Sequence, residues 1–392
     1  MASPTEKDGR AGRLTALLTC AMAFSMLQLF LLGALGPRLV TELGLSPALL
    51  GLTTTVGFGT AAALSPAGGR IVDRIGPRRS LVALLLLSAA ALGLTGSAPG
   101  AGLLLGAVAL GGVPQALANP ATNKAVLRAV PPARRGAVTG LKQSGVQLGA
   151  FAAGAPLAAL AGGIGWRGAV WTGAAAALLT GLWALRVLPA DPPSAAGPRT
   201  DLVPRGMVAW LAVFSLFLGA GIASVNTYLA LFGAQRLDMG PTAAAALVAV
   251  LGVAGIAGRV GWSKAARPGR AEWLPAWLAC GALGAAALLA AALVAGPLVW
   301  VGAVAVGVFA VSGNAVSMVL VLQRAAPGRA GQDSALVAAG FFAGFALGPP
   351  LFGLLAQSGR YGPGWLLVAA EFAAAAAVAF LWAVRDRRGA TA

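Results

Sequence analysis

Long apolar stretches separated by short polar ones run from end to end of this 392-residue chain. A helix that crosses a hydrocarbon core needs roughly 20 residues at about 1.5 Å each. Twelve stretches meet that length, beginning near Leu14, Ala48, Ser80, Ala101, Ala137, Gly168, Met207, Thr242, Leu274, Leu298, Ser334 and Trp365. Lys7, Arg10 and Arg13 precede the first stretch as they would a secretion signal. It is too long for one and lacks a small-residue cleavage site, so a retained helix is expected. The predicted fold is all-α integral membrane, with 12 transmembrane helices and 24 Pro and 56 Gly spread through the apolar runs. Membrane helices tolerate both residues better than soluble ones do.

Composition sharpens this picture. Apolar residues make up 58% of the chain and charged ones only 10%, against about 25% charge in an ordinary soluble domain. The net charge of +17 raises the question of a nucleic-acid partner. The 28 Lys and Arg, however, alternate by loop. With the N-terminus in the cytoplasm, only Arg38, Arg167, Arg236 and Arg360 fall outside, and Lys142 lies within a helix. That distribution follows the rule that basic loops stay inside. It predicts a multi-pass protein of the cytoplasmic (inner) membrane, both termini cytoplasmic, with membrane lipid and not nucleic acid as the partner of its basic surface. Cys20 and Cys280 are distant in sequence and both within helices, and there is no His. No disulfide, metal site or cofactor is expected. Without a constellation of His, Cys and acids near one face an enzyme is not expected, nor is direct use of ATP without a phosphate-cradling glycine loop.

The chain repeats itself. Residues 119–149 align with 314–344 at a constant offset of 195, with identities at Asn119/Asn314, Val126/Val321, Leu127/Leu322, Pro132/Pro327, Arg134/Arg329, Gly136/Gly331, Leu141/Leu336, Gly145/Gly340 and Gly149/Gly344. Helices 4 and 5 thus correspond to 10 and 11. A repeat of six helices preserves orientation, so the halves should be related by an axis along the membrane normal. The expected division is 1–188 and 206–392 as six-helix bundles, with 189–205 as a cytoplasmic linker, where Asp191-Pro-Pro, Gly197-Pro and Asp201 break the apolar pattern.

Charge crowds against hydrocarbon at residues 69–81, Gly-Arg-Ile-Val-Asp-Arg-Ile-Gly-Pro-Arg-Arg-Ser-Leu. Gly69, Asp73, Arg74, Gly76 and Arg78 resemble the signature loop between the second and third helices of the major facilitator superfamily. Pro77 departs from the family, which usually has a basic residue there, and in the second half Ala265 stands where the acid would fall. The resemblance implies a secondary transporter that alternates access around a central cavity between helices 1, 4, 5 and 7, 10, 11. It also implies that Asp73 braces the cytoplasmic side against the start of helix 11, with Arg74 and Arg78 as charged partners. A helix N-terminus attracts an acid for electrostatic reasons alone.

Polar residues in those helices are the cavity candidates. In helix 4, Gln115, Asn119, Thr122 and Asn123 share a face about 100° wide. Helix 5 places Thr139, Lys142, Gln143 and Gln147 on an arc of about 140°. Gln28 in helix 1, Ser224, Thr227 and Tyr228 in helix 7, Asn314 in helix 10 and Phe341 and Phe342 in helix 11 complete the set. Buried amides in hydrocarbon face protein or water, so each could equally be a bond between helices. Lys142, about 10 Å from the cytoplasmic edge, either snorkels or holds an anionic group. Arg259, close to the end of helix 8, is expected to snorkel, and Glu371 is the one acid well inside a span. Gly145 and Gly149, and Gly340, Gly344 and Gly348, form rows that let helices approach closely, and packing between the halves is the expectation. The function expected is proton-coupled efflux of a small amphipathic compound by a monomer. Uptake or exchange of a small organic anion through Lys142 is the alternative, and a non-transporting sensor on the same fold is a second.

Overall fold

In the computed structural model, residues 4–191, 203–266, 272–324 and 330–391 are described. The transmembrane helices are α1 (Pro4–Ala34), α2 (Pro47–Ile75), α3 (Pro77–Ser97), α4 (Ala101–Ala129), α5 (132–164), α6 (166–187), α7 (Met207–Arg236), α8 (Pro241–Ala265), α9 (Leu274–Ala291), α10 (298–324), α11 (Ala330–Gln357) and α12 (Tyr361–Thr391). By length and hydropathy alone 11 runs could cross a membrane, and one of them, Val138–Val187, spans 50 residues. A straight helix of that length would be about 75 Å long, more than twice a hydrocarbon core. Gly165 breaks it with φ 77° and ψ 161°, so the run turns back as α5 and α6, giving twelve crossings.

Proline sets many of the starts. Ser46 caps α2 by accepting from the Leu49 N–H at 3.1 Å, and Pro47 follows it at the first helical position. Pro77, Pro132 and Pro241 open α3, α5 and α8 in the same way, where the missing N–H costs no bond. Pro114 and Pro120 within α4, and Pro349 and Pro350 within α11, are carried by the surrounding helices. Both α5 and α10 contain a π turn, Ala153–Leu157 and Val306–Ala310.

Packing repeats across the halves. Within the first six helices α1 packs on α5 and α3 on α6; within the last six α7 packs on α11 and α9 on α12. The halves meet along two matching seams, α2 against α11 and α5 against α8. The equivalent helices α4 and α10 instead pack mainly within their own halves. Most of the expected linker, residues 192–202, lies outside the described residues.

Candidate functional site

The end of the molecule bearing the basic loops is organised around two aspartates. At the first, α2 stops at Gly76, whose φ of 90° suits glycine, and α3 starts at Pro77. The carboxylate of Asp191, just beyond α6, accepts from the Arg78 N–H at 3.0 Å and the Arg79 N–H at 2.9 Å. It thereby occupies the free N-terminus of α3. Arg128, at the end of α4, pairs with the same carboxylate at 3.3 Å and donates to the Ala190 carbonyl at 2.9 Å. A Cβ at Gly76 would fall 2.6 Å from Asp191 Oδ2, so this glycine is needed for close approach as well as for its φ. In the second half Arg324, at the end of α10, donates to Asp386 at 2.7 Å and Glu272 at 2.6 Å. Burial works to lower the Arg324 pKa, and hydrogen bonds and charge from Asp386 and Glu272 outweigh it and raise it.

Beside the signature loop the structure adds a partner that the sequence reading did not name. Arg78 is engaged through its backbone by Asp191 and through its side chain by the Leu185 carbonyl at 2.6 Å, while Arg74 is exposed. The Asp73 side chain, and with it the brace against helix 11, lies outside the described residues. Gly69 has open space where a Cβ would be. Sequence reasoning passed over Asp191 as part of a linker, yet a signal was present. Asp191 and Asp386 stand at the offset of 195 that relates the halves.

A polar group lies deeper, between α4, α5 and α8. Lys142 is wholly buried. Its Nζ donates to Thr122 Oγ1 and to Asn123 Oδ1, each at 2.7 Å. One residue on, Gln143 Nε2 donates to Asn119 Oδ1 at 2.9 Å. Arg259 does not snorkel: it is 9% exposed and its Nη1 crosses to the other half to donate to the Gln143 carbonyl at 3.1 Å. Gln147 packs where Gly255 of α8 leaves room. Gln115 Oε1, Gln147 Oε1, Arg259 Nε and Asn314 Oδ1 are buried without a hydrogen-bond partner. Buried polar atoms are normally paired, so these positions can serve a ligand or water.

Other candidates fall elsewhere. Gln28 donates to Thr95 Oγ1 at 2.8 Å and the Ala107 carbonyl at 3.1 Å, so it ties α1 to α3 and α4. With Gln115 and Phe58 it also lines a small cavity. Ser224 is buried with its hydroxyl unpaired. Thr227 and Tyr228 belong to a seal at the end opposite the basic loops. Thr227 and Thr54 share a hydroxyl hydrogen bond of 3.0 Å across the halves, and Tyr228 donates to the Pro47 carbonyl at 2.7 Å. Thr55 donates to the Ala346 carbonyl at 2.7 Å. Below this seal Phe58 of α2 meets Phe342 and Phe345 of α11, with ring centroids 5.8 and 4.6 Å apart.

The glycine rows serve contacts other than those expected. Gly145 and Gly149 lie against the Thr19 and Ala23 carbonyls of α1, and Gly340, Gly344 and Gly348 against Ala212, Leu216 and Ala220 of α7. Both rows therefore pack within a half. The reason is geometric: they sit on the faces of α5 and α11 turned to the first helix of each bundle. Close approach between the halves involves other glycines, among them Gly154 against Ala245 and Ala249, Gly252 against Gln147 and Phe151, Gly33 against Asn226, and Gly51 against Pro349.

A family model described as Major Facilitator Superfamily matches residues 18–337. No curated protein matches the sequence. Among solved structures, the chain is similar to a bacterial homologue of the human lysosomal transporter Spinster in an inward-facing, occupied conformation. That likeness has a TM-score of 0.74 and 18% identity, covering 98% of each chain. The unoccupied inward-facing form of that homologue gives 0.73 and 17%, again over 98% of both chains. A mutant of the nucleoside transporter NupG gives 0.77 at 13% identity, covering 94% of this chain and 99% of that one. At these identities the likeness speaks for the fold.

Proposed function

The chain belongs to the major facilitator superfamily of transporters, and from that premise we propose that it exports a small amphipathic compound across the cytoplasmic membrane by alternating access, driven by proton entry. One observation carries the reading. The halves are sealed at the end remote from the basic loops by Thr54–Thr227, Tyr228–Pro47 and Thr55–Ala346, while the equivalent helices α4 and α10 pack mainly within their own halves. With basic loops in the cytoplasm, that arrangement supports a site closed outward and entered from inside. Rocking along the two seams would open the seal and bring the basic ends together.

The proton is assigned to Glu371, which is 8% exposed with Oε2 unbonded in mid-span. A membrane-embedded acid is expensive to keep without a task. The signature loop acts in this reading as the inner brace, formed when Asp73 approaches α11. Uptake or exchange of an organic anion is the second reading, favoured by Lys142, whose bonding partners Thr122 and Asn123 are both neutral.

Two-sided labelling of single cysteines tests the cycle. With a pH gradient imposed on proteoliposomes, a cysteine at position 224 should gain access from outside, and one at 119 should lose access from inside. Labelling that stays the same from both sides under every gradient would instead make the protein a sensor or scaffold.

A further inference from the structure

The opposing walls of the interface between the halves differ in chemistry. Lys142 and Arg259 are buried on the adjoining helices α5 and α8: Arg259 Nη1 crosses to the carbonyl of Gln143, the residue after Lys142, while Lys142 Nζ turns to Thr122 and Asn123 of α4. Lys142 is 0% and Arg259 9% exposed. Among the described residues neither meets a carboxylate, and Arg259 Nε has no partner at all. A buried guanidinium with an unpartnered N–H, beside a helix that carries a buried amine with neutral partners only, offers groups that an anionic ligand would pair. The second half offers no equivalent. At the offset of 195, Val337 stands for Lys142 and Phe342 for Gln147, and Phe342 belongs to the ring cluster with Phe58 and Phe345. The walls connect along α4: Asn119 accepts from Gln143, and Gln115, one turn away, shares a small cavity with Phe58.

We propose that the cargo is an amphipathic carboxylate. Its charged end is held by the free Nε edge of the Arg259 fork and by Lys142, and its flat or branched apolar body lies against the rings of Phe58, Phe342 and Phe345. A guanidinium edge fits the two oxygens of a carboxylate better than a point charge does. The tilted rings offer an apolar surface that suits an aryl or alkyl body. The inference rests on the transport reading for the word cargo, but the site itself does not.

Equilibrium binding to the purified full chain in detergent tests it without any transport. Radiolabelled phenylacetate, phenylbutyrate and octanoate are compared with the alcohol and the amine of the same carbon skeleton as competitors. At least one acid should bind about tenfold or more tightly than its alcohol, as expected when a charge-assisted bond is lost. Arg259→Gln and Lys142→Gln should each erase that preference, and Arg259→Lys should retain part of it. Alcohols or amines binding as well as the acids, no binding by any acid at millimolar concentration, or a preference that survives both glutamine variants would overturn the proposal. Should a glutamine variant fail to fold, the wild-type series and Arg259→Lys decide the matter alone. Acid-selective binding with unchanged two-sided cysteine labelling would keep the site and refute transport.

Discussion

Asp191 does three things with one carboxylate: it caps α3, neutralises Arg128 and fixes the place where α6 leaves the membrane. Its side chain is only 3% exposed and that of Arg128 35%, so the aspartate bears the desolvation and the arginine little of it. Asp191→Asn keeps an acceptor for one N–H and loses the charge. The expected cost is about 1–3 kcal/mol, read as a lower melting temperature in detergent, with Arg128→Ala milder because its partner still caps the helix. Residues of this kind are hard to read from sequence. An acid beside two prolines looks like linker until the fold brings it 113 positions back to Arg78. Lys142 was legible as an anomaly because a cation in an apolar run stands out. Arg259 was not, since its place near a helix end suits snorkelling equally well.

At the scale of elements, glycine rows and helix ends were visible and their partners were not. A small-residue row fixes that something approaches closely, but which helix does so depends on the arrangement of all twelve. Gly344 meets the Leu216 carbonyl and the Ala220 nitrogen of α7, whereas Gly69 has nothing within 4 Å. Gly344→Ala should therefore push α11 off α7 and cost about 1–3 kcal/mol. Gly69→Ala should leave stability within about 0.5 kcal/mol of the parent. Thermal unfolding of the two variants side by side checks this, and equal losses would mean that loop chemistry and not packing governs both positions. The boundary between α5 and α6 was legible as the break between the stretches beginning near Ala137 and Gly168, whereas the left-handed backbone angle at Gly165 that makes the turn is set by the three-dimensional path.

For the whole molecule the decisive feature is the seal at the face remote from the basic loops. There, among the described residues, the hydroxyls of Thr54 and Thr227 and the Tyr228 phenol join the two halves. A disulfide between Thr54→Cys and Thr227→Cys would hold that face shut, since the parent hydroxyls are 3.0 Å apart. Transport should fall to background on oxidation and return on reduction, while either single cysteine leaves it near the parent rate. Unimpaired transport by the oxidised protein would remove this seal from the cycle.

The sequence by itself determined the class of the fold, twelve apolar crossings and their duplication, because the cost of backbone and charge in hydrocarbon is a local property that each stretch must satisfy alone. It also marked the loop at 69–81 and the cation at 142. Only the tertiary structure decided which glycines meet which helix, that Asp191 accepts from the Arg78 and Arg79 N–H groups, that Gln28, Thr227 and Tyr228 serve as ties and seal, and that Arg259 crosses between halves. Those outcomes depend on distances between segments far apart in the chain, and a one-dimensional pattern of apolar and polar positions constrains a face without naming what covers it.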